Sequence, residues 1–493
     1  MIAWLQRLHS SSWKLDVASY QDDLRALCIC NHTWRKFGQE FLYRELWLPS
    51  NEGPAKSLMS LKRPPGRLKQ LLRTLEGSRD KCDMVRTLRV TSELANELEY
   101  EAEFNRSNRK DSTLRIFGDI IRSCPNLEQV LGYGSLACEV NAKLWKALAS
   151  CGRLRSHAWR LPHLDLEIPA LDILDCHENA AWNQLETLTI WQPTNARFLA
   201  PGSIGAILHQ LPALQNLILR GLPANDFHNG TLLTLPALKS LRLEELHGFT
   251  DQGIDRLSST PLTMSLERLV LVGLELTSLK CLQNALSSLM RLVRFSLVQD
   301  TSPEIPPLLP MTKSSFLLQS PTLQYLHWDV LAPGSAIGIL ANSIAAGKFP
   351  SLRAVKVPSD SDGLIQTLCQ PITVHAVTSH DMEVLEEWEQ SSTYQRSLQA
   401  SQIQAQLRVR RQRQQPAMKV VVQDENDTTR RTHVIGSYLG DVNSSICYSL
   451  EPAVDGTTSA IARIEDVLTP NETEVAQHLR KGEEPMLDVD VLF

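Results

Sequence analysis

Pro212-Ala213-Leu214-Gln215-Asn216-Leu217-Ile218-Leu219 returns as Pro236-Ala237-Leu238-Lys239-Ser240-Leu241-Arg242-Leu243, and its apolar part returns again as Leu266-Glu267-Arg268-Leu269-Val270-Leu271. Each copy carries apolar residues at i, i+3 and i+5. The last two are two apart, so on a short strand they share one face. The first apolar residues of successive copies are Val85, Leu127, Leu154, Leu185, Leu214, Leu238, Leu266, Leu292, Leu323 and Leu352. Their gaps are 42, 27, 31, 29, 24, 28, 26, 31 and 29. A phrase returning at this period is the mark of a solenoid, in which each unit buries its apolar flank against the next. The long first gap holds the acidic stretch Glu93 to Asp111, which reads as an inserted loop.

Between copies lie segments with apolar residues three and four apart, which read as helices: Ile116 to Ser123, Ile204 to Leu211, Ile254 to Leu257 and Leu282 to Leu289. Pro125, Pro212, Pro236, Pro321 and Pro350 stand at the helix-to-strand corners. Proline there stops the helix and sets up an extended segment. The expected fold class is α/β, a solenoid of parallel strands and helices over 81–370.

These copies resemble the leucine-rich repeat family, pattern L-x-x-L-x-L-x-x-N/C-x-L, over roughly 80–360. The strand half matches. The Asn/Cys position does not, being Leu222, Leu246 and Leu274 in the three best copies. Without the side-chain ladder of regular members, the resemblance implies an irregular horseshoe.

Residues 1–50 form the second informative stretch. Asp23-Leu24-Arg25-Ala26-Leu27-Cys28-Ile29-Cys30 reads as an amphipathic helix entered at Asp22 or Asp23, where a carboxylate caps it. A second helix is expected over Trp34 to Tyr43, then a strand to Leu48. The stretch resembles the later half of an F-box as fungal-type members carry it, D-L-x-x-L-x-x-V-C-x-x-W-R followed by L-Y-R-x-L-x-L. The matches are Asp23, Leu24, Leu27, Trp34, Arg35, Leu42, Tyr43, Arg44, Leu46 and Leu48, with Cys30 and Asn31 at the family's Val and Cys. The family's opening, L-P-x-E-I-L-x-x-I-F, is absent: either it has diverged, or the sequence start is truncated. That opening supplies part of the surface that members present to the Skp adaptor.

An F-box feeding leucine-rich repeats implies a substrate-recognition subunit of a cullin-based ubiquitin ligase. By that resemblance Leu24, Leu27, Cys28 and Trp34 form the face toward a Skp-type adaptor and its cullin. A target protein would lie on the concave side, on residues alternating with the strand leucines: Asn216, Ser240, Arg242, Arg268 and Arg294. The competing reading is a scaffold without ligase attachment, in which the N-terminal helices merely cap the solenoid's first turn.

Composition is ordinary for a soluble globular chain. Hydrophobic residues make up 43% and charged residues 21%, and 50 basic against 55 acidic residues give a net charge of −5. Nothing there calls for a nucleic-acid or membrane partner. The ten cysteines are scattered, with Cys28 and Cys30 the one close pair, and read as free thiols of a reducing compartment. No apolar run approaches ~20 residues, and Met1 to His9 is too short and polar for a secretory signal. The expected location is cytoplasm, nucleus or both.

No catalytic constellation is found, and no cofactor is expected. Gly202-Ser203-Ile204-Gly205 lacks nucleophile-elbow spacing, and Gly132-Tyr133-Gly134-Ser135 lacks the third glycine or lysine of a phosphate cradle. His157, His209, His247 and His327 have no partner at metal-ligand spacing. Elsewhere, 51–80 reads as a surface connection and 301–312 as a Pro-rich excursion. The span 381–415 reads as an exposed helix, acidic at Glu383, Glu386, Glu387 and Glu389 and basic at Arg408, Arg410, Arg411 and Arg413. The tail 416–493 is expected to be largely disordered.

Overall fold

The computed structural model describes residues 17–48, 66–103, 113–133, 135–136, 142–160, 182–192, 203–305, 316–330, 332, 334–357, 359–360, 362–371, the single residues 379, 382, 383, 403 and 407, and then 418–423, 429–435 and 440–448. The chain divides into two units, Met1–His157 with Asn179–Leu185, and Ala158–Glu178 with Glu186–Phe493.

The first unit opens with two helices, Val17–Cys30 and His32–Arg44. Strand β1 (Glu45–Leu48) follows and pairs in parallel with β2 (Thr87–Val90), and β2 pairs in parallel with β3 (Gln129–Leu131). A two-residue strand, β4 (Ser135–Leu136), pairs with β5 (Ser156–Arg160), whose first two residues belong to this unit. Asp22 and Asp23 lie inside the first helix rather than at its start, because Val17-Ala18-Ser19-Tyr20 continue it backwards.

Two expectations for this unit are corrected. Part of the supposed connection 51–80 is the helix Gly66–Glu76 and the start of the helix Arg79–Met84. Leu68 and Leu75, seven residues apart on the first of these, are both buried. The supposed inserted loop contains the helix Ser92–Glu103, which buries Leu94 and Leu98 one turn apart. Phe117, on the helix Thr113–Ser123, meets the Tyr133 ring edge-on at 5.5 Å. Trp182 packs at 5.3 Å on Trp145, of the helix Ala142–Ala149, and its indole N–H donates to the Leu148 carbonyl at 2.9 Å.

The second unit repeats one device. Strands β6 (Thr187–Trp191), β7 (Asn216–Arg220), β8 (Ser240–Glu244), β9 (Arg268–Val272), β10 (Arg294–Gln299), β11 (Tyr325–Val330) and β12 (Ala354–Lys356) pair in parallel, each with the next in sequence. Helices or 3-10 turns cross back between them, among them Ser203–His209, Asp251–Arg256, Leu279–Ser288 and Ala336–Ala345.

The repeated phrase explains the stacking. The i, i+3 and i+5 residues Leu214, Leu217 and Leu219, Leu238, Leu241 and Leu243, Leu266, Leu269 and Leu271, Leu292, Phe295 and Leu297, and Leu323, Leu326 and Trp328 are all buried. The helices close that side with Ile207, Ile254, Leu282, Leu286 and Leu340.

The register is fixed by the backbone. Just before each strand a carbonyl accepts two N–H groups from the following turn. Lys239 N and Ser240 N donate to Gln215 O at 2.8 and 3.0 Å, Glu267 N and Arg268 N to Lys239 O at 2.8 and 3.0 Å, and Val293 N and Arg294 N to Glu267 O at 2.8 and 3.0 Å. A one-residue slip would break this ladder and turn the leucines to the other face. Leu222, Leu246 and Leu274, at the Asn/Cys position, are apolar filler. Other amides tie neighbouring turns instead. Gln299 accepts from Leu276 N at 3.0 Å and donates to Leu276 O at 2.7 Å, and Asn229 accepts from Thr250 N at 3.0 Å. Gly221 turns the chain out of β7 at φ +67, where a Cβ would lie 2.3 Å from the Gln192 carbonyl oxygen.

Part of the tail forms strands. β13 (Met418–Gln423) and β14 (Thr429–Ile435) form an antiparallel hairpin, and β15 (Cys447–Tyr448) pairs in parallel with β12. The Tyr448 hydroxyl donates to Val357 O at 2.7 Å, so this return covers the edge of the last turn. Apart from 440–446, the remainder of 416–493, including Val475 to Lys481, lies outside the described residues, as do 306–315 and nearly all of 381–415.

Candidate interaction surfaces

The N-terminal helices form a tight pair. Asn31, the lone residue between them, caps the second: its side-chain oxygen accepts from Trp34 N at 2.8 Å. Arg35 Nε donates to Cys28 O at 3.1 Å, satisfying a carbonyl at the end of the first helix. The helices meet at Gly38, where a Cβ would stand 2.7 Å from Cys28 Sγ and 3.4 Å from Leu24 O. Small volume at the crossing lets Leu24 bury itself.

The expected adaptor face is redistributed by this packing. Leu24 is spent on the pair's own core, and Leu27, Cys28 and Trp34 are half-buried. The large apolar side chains offered to solvent are Ile29, 79% exposed, and Phe37, 40% exposed. Sequence reasoning missed both. The signal was present: each is apolar and lies off the Leu24-Leu27-Cys28 stripe. The second helix runs directly into β1, and Arg86 N donates to Arg44 O at 2.9 Å, so the pair is locked to the first strands. On β1, Trp47 lies 5.1 Å beneath the Arg89 guanidinium, which is paired with Glu45.

The second surface is the strand face opposite the leucines. Strand register sets it in rows. Asn216, Ser240, Arg268, Arg294, Tyr325 and Ala354 form the first; Ile218, Arg242, Val270, Ser296, His327 and Lys356 the second; and Arg220, Glu244, Val272, Val298 and Asp329 the third. Asn216, Arg268 and Arg294 are partly exposed. Asn216 donates to Thr187 Oγ1 at 3.1 Å, and the Arg294 guanidinium lies 5.7 Å over the Tyr325 ring.

Ser240 and Arg242 overturn the expectation of an open face, since each is only 2% exposed. Arg242 pairs with Glu244 at 2.9 Å, and Arg220 approaches Glu244 at 3.4 Å. His327 and Asp329 are buried too, and Lys356 is 0% exposed. Ser296 Oγ lies 3.1 Å from His327 Nδ1. Burial, with Lys356 nearby, holds the imidazole well below its ordinary pKa, so it is neutral. Alternation in the sequence tells which side these residues take, but not that the side is shut from water.

Of the cysteines, Cys82, Cys124, Cys151 and Cys369 are buried. Burial pushes the thiols of Cys124, Cys151 and Cys369 up to about 12, which makes them inert. Among the described residues no group of His, Cys, Asp or Glu could hold a metal ion, and no helix is long and apolar enough to cross a membrane.

No family model matches the chain, and no curated protein matches it. Among solved structures, it is similar to one titled "Crystal structure of Rad7 and Elc1 complex in yeast", at 16% identity and a TM-score of 0.31, covering 62% of this chain and 93% of that one.

Proposed function

We propose that this chain is the target-recognition subunit of a cullin-type ubiquitin ligase, docked on a Skp-type adaptor through its N-terminal helix pair and holding a target protein on the strand–helix repeats. The observation that carries the reading is the helix pair itself. It offers Ile29 and Phe37 to solvent and is bonded to the first strands through Arg44 O and Arg86 N. A docking handle and a target surface on one chain are what such a subunit needs, because its contribution is proximity: holding two proteins together makes their reaction effectively local. On this reading the chain makes no bond itself, needs no cofactor, and works in the cytoplasm or nucleus.

The adaptor-facing residues are then Ile29 and Phe37 flanked by the half-buried Leu27 and Trp34, with Leu24 and Cys28 supporting them from within. The test is capture of a purified Skp-type adaptor by the full chain. Phe37→Asp should abolish capture while the melting temperature stays within about 2 °C, since a surface change typically costs under ~0.5 kcal/mol. Full adaptor binding by that variant would reject this face.

A scaffold without ligase attachment is the second reading, and the burial of Leu24 favours it: a cap for the first turn needs only its buried side. It is chosen if the intact chain fails to bind any Skp-type adaptor.

A further inference from the structure

We infer that the second unit binds its target along the edge where its strands begin, through an exposed methionine pair, and that the bound element is an acidic amphipathic helix of the partner. The inference deepens the proposed target platform and rests on it only in calling the partner a target.

The residue two places before the first leucine of each phrase is Pro212, Pro236, Met264, Met290, Pro321 or Pro350. The backbone closes this corner alike from turn to turn: Leu214 N donates to Leu211 O, Leu292 N to Leu289 O and Leu352 N to Phe349 O, each at 3.2 Å. Met290 N donates to Thr263 O at 3.3 Å, which sets the two methionine corners side by side. Copies of one position on adjacent parallel strands lie about 4.8 Å apart. Met264 is 68% exposed and Met290 52%, and Leu233, on the 3-10 turn Thr231–Thr234 of the preceding repeat, is exposed as well.

Proline suits this corner, because it stops the helix and sets up the strand. Two adjacent turns give that up for a long, flexible thioether held in water. The turns' own core gains nothing, since Leu262, Leu266, Leu289 and Leu292 fill it completely. A local rule broken without local gain marks a functional position. Methionine, unbranched and polarizable, shapes itself to an apolar partner surface.

Period and charge choose the partner. The strands are bonded on both sides, so they offer no edge for an added strand. A helix lying along the row presents apolar side chains once per turn, about 5.4 Å apart, which nearly matches the spacing of the corners. Around the corners from Leu214 to Leu352, between four places before each first leucine and two after it, stand Lys239, Arg268, Arg291, Arg294, Lys348 and Arg353. The one acid at these positions is Glu267, 3.8 Å from Arg291. That excess of bases fits an apolar stripe flanked by Asp or Glu, and it argues against a second copy of the same edge, which would set bases against bases.

Fluorescence anisotropy on the purified full chain tests this without any adaptor, so its failure is distinct from failure of the ligase reading. One labelled synthetic helix carries leucines at i, i+4, i+7 and i+11 with glutamates beside them; the other has lysines in place of the glutamates. The acidic helix should bind, and the basic one should bind about tenfold more weakly or less. Met264→Asp with Met290→Asp should weaken the acidic helix by about tenfold or more while the melting temperature is unchanged, because both side chains are exposed. Met264→Leu with Met290→Leu should keep the binding, and Arg291→Glu with Arg353→Glu should shift the preference toward the basic helix. No binding of the acidic helix, equal binding of the two helices, or binding that survives the aspartate pair would overturn the assignment. Sedimentation of the chain alone should show a monomer; a dimer broken by the aspartate pair would give this edge to a second copy and overturn it too.

Discussion

Replacing Glu244 with alanine should be among the most damaging single changes to the sheet's polar face. Its carboxylate is 5% exposed, 2.9 Å from Arg242 Nη2 and 3.4 Å from Arg220 Nε. An exposed ion pair contributes about 0–1 kcal/mol. Removing one partner of a buried pair costs about 3–5 kcal/mol, because the other charge loses its counterion in a place water does not reach. The Arg242 guanidinium, 2% exposed, is in that position. With a urea m-value of about 2 kcal/mol/M, Glu244→Ala should lower the unfolding midpoint by roughly 1.5–2.5 M. The double change Arg242→Leu with Glu244→Leu removes both charges, so it should recover most of the loss, leaving about 1 kcal/mol or less. Urea unfolding followed by circular dichroism gives all three values. A cost below ~1 kcal/mol for Glu244→Ala, with no recovery in the double variant, would mean the face is wet, and the buried-pair reasoning would be refuted.

Three further outcomes are expected. Gly221→Ala places a methyl 2.3 Å from the Gln192 carbonyl oxygen at φ +67, so it should cost more than ~1 kcal/mol, read as a lower melting temperature than Gly338→Ala, where a Cβ meets nothing within 4 Å. His327 is held neutral, its pKa well below the ordinary histidine value of about 6.5, so the folded state binds fewer protons than the unfolded one as the solution acidifies. Its share of stability is intact above about pH 6.5 and is lost as pH falls below it, by up to ~1.4 kcal/mol per pH unit; His327→Gln should flatten that slope in unfolding measured from pH 7 to 5. A thiol reagent at pH 8 should label Cys30 and Cys447 within minutes and leave Cys124, Cys151 and Cys369 untouched until denaturant is added, which peptide mapping checks.

Much of the second unit was legible because its apolar chemistry is repetitive. Leu217 and Leu219, two apart after Leu214, share one face of a strand, and the same spacing recurs at Leu241, Leu269 and Leu326. Three segments escaped because a louder local signal masked a quieter one. In Ser92–Glu103 the density of acidic residues hid the Leu94 and Leu98 stripe, and the prolines at 64 and 65 drew attention from Leu68 and Leu75. The hairpin of β13 and β14 was hidden by the polar run Asp424-Glu425-Asn426-Asp427-Thr428 that joins its strands. The interaction surfaces were less legible still. Helical spacing marked Leu24 as important without telling an internal contact from an external one, and only the Gly38 crossing settles that it points inward. Strand alternation put Ser240 and Arg242 opposite the leucines, but what lies above a sheet depends on contacts far away in sequence, which no local pattern records.

Hydrogen–deuterium exchange on the intact chain tests the stacked-repeat account most directly. Each inner strand of the second unit is bonded on both sides, and paired N–H groups share one carbonyl at every strand start. Amides of Leu217–Leu219, Leu241–Leu243, Leu269–Leu271, Phe295–Leu297 and Leu326–Trp328 should therefore be the slowest in the protein, opening together with similar free energies. If these amides instead exchange within seconds at neutral pH, or open independently across a wide range, the turns are not stacked as described and the platform they are proposed to form does not exist.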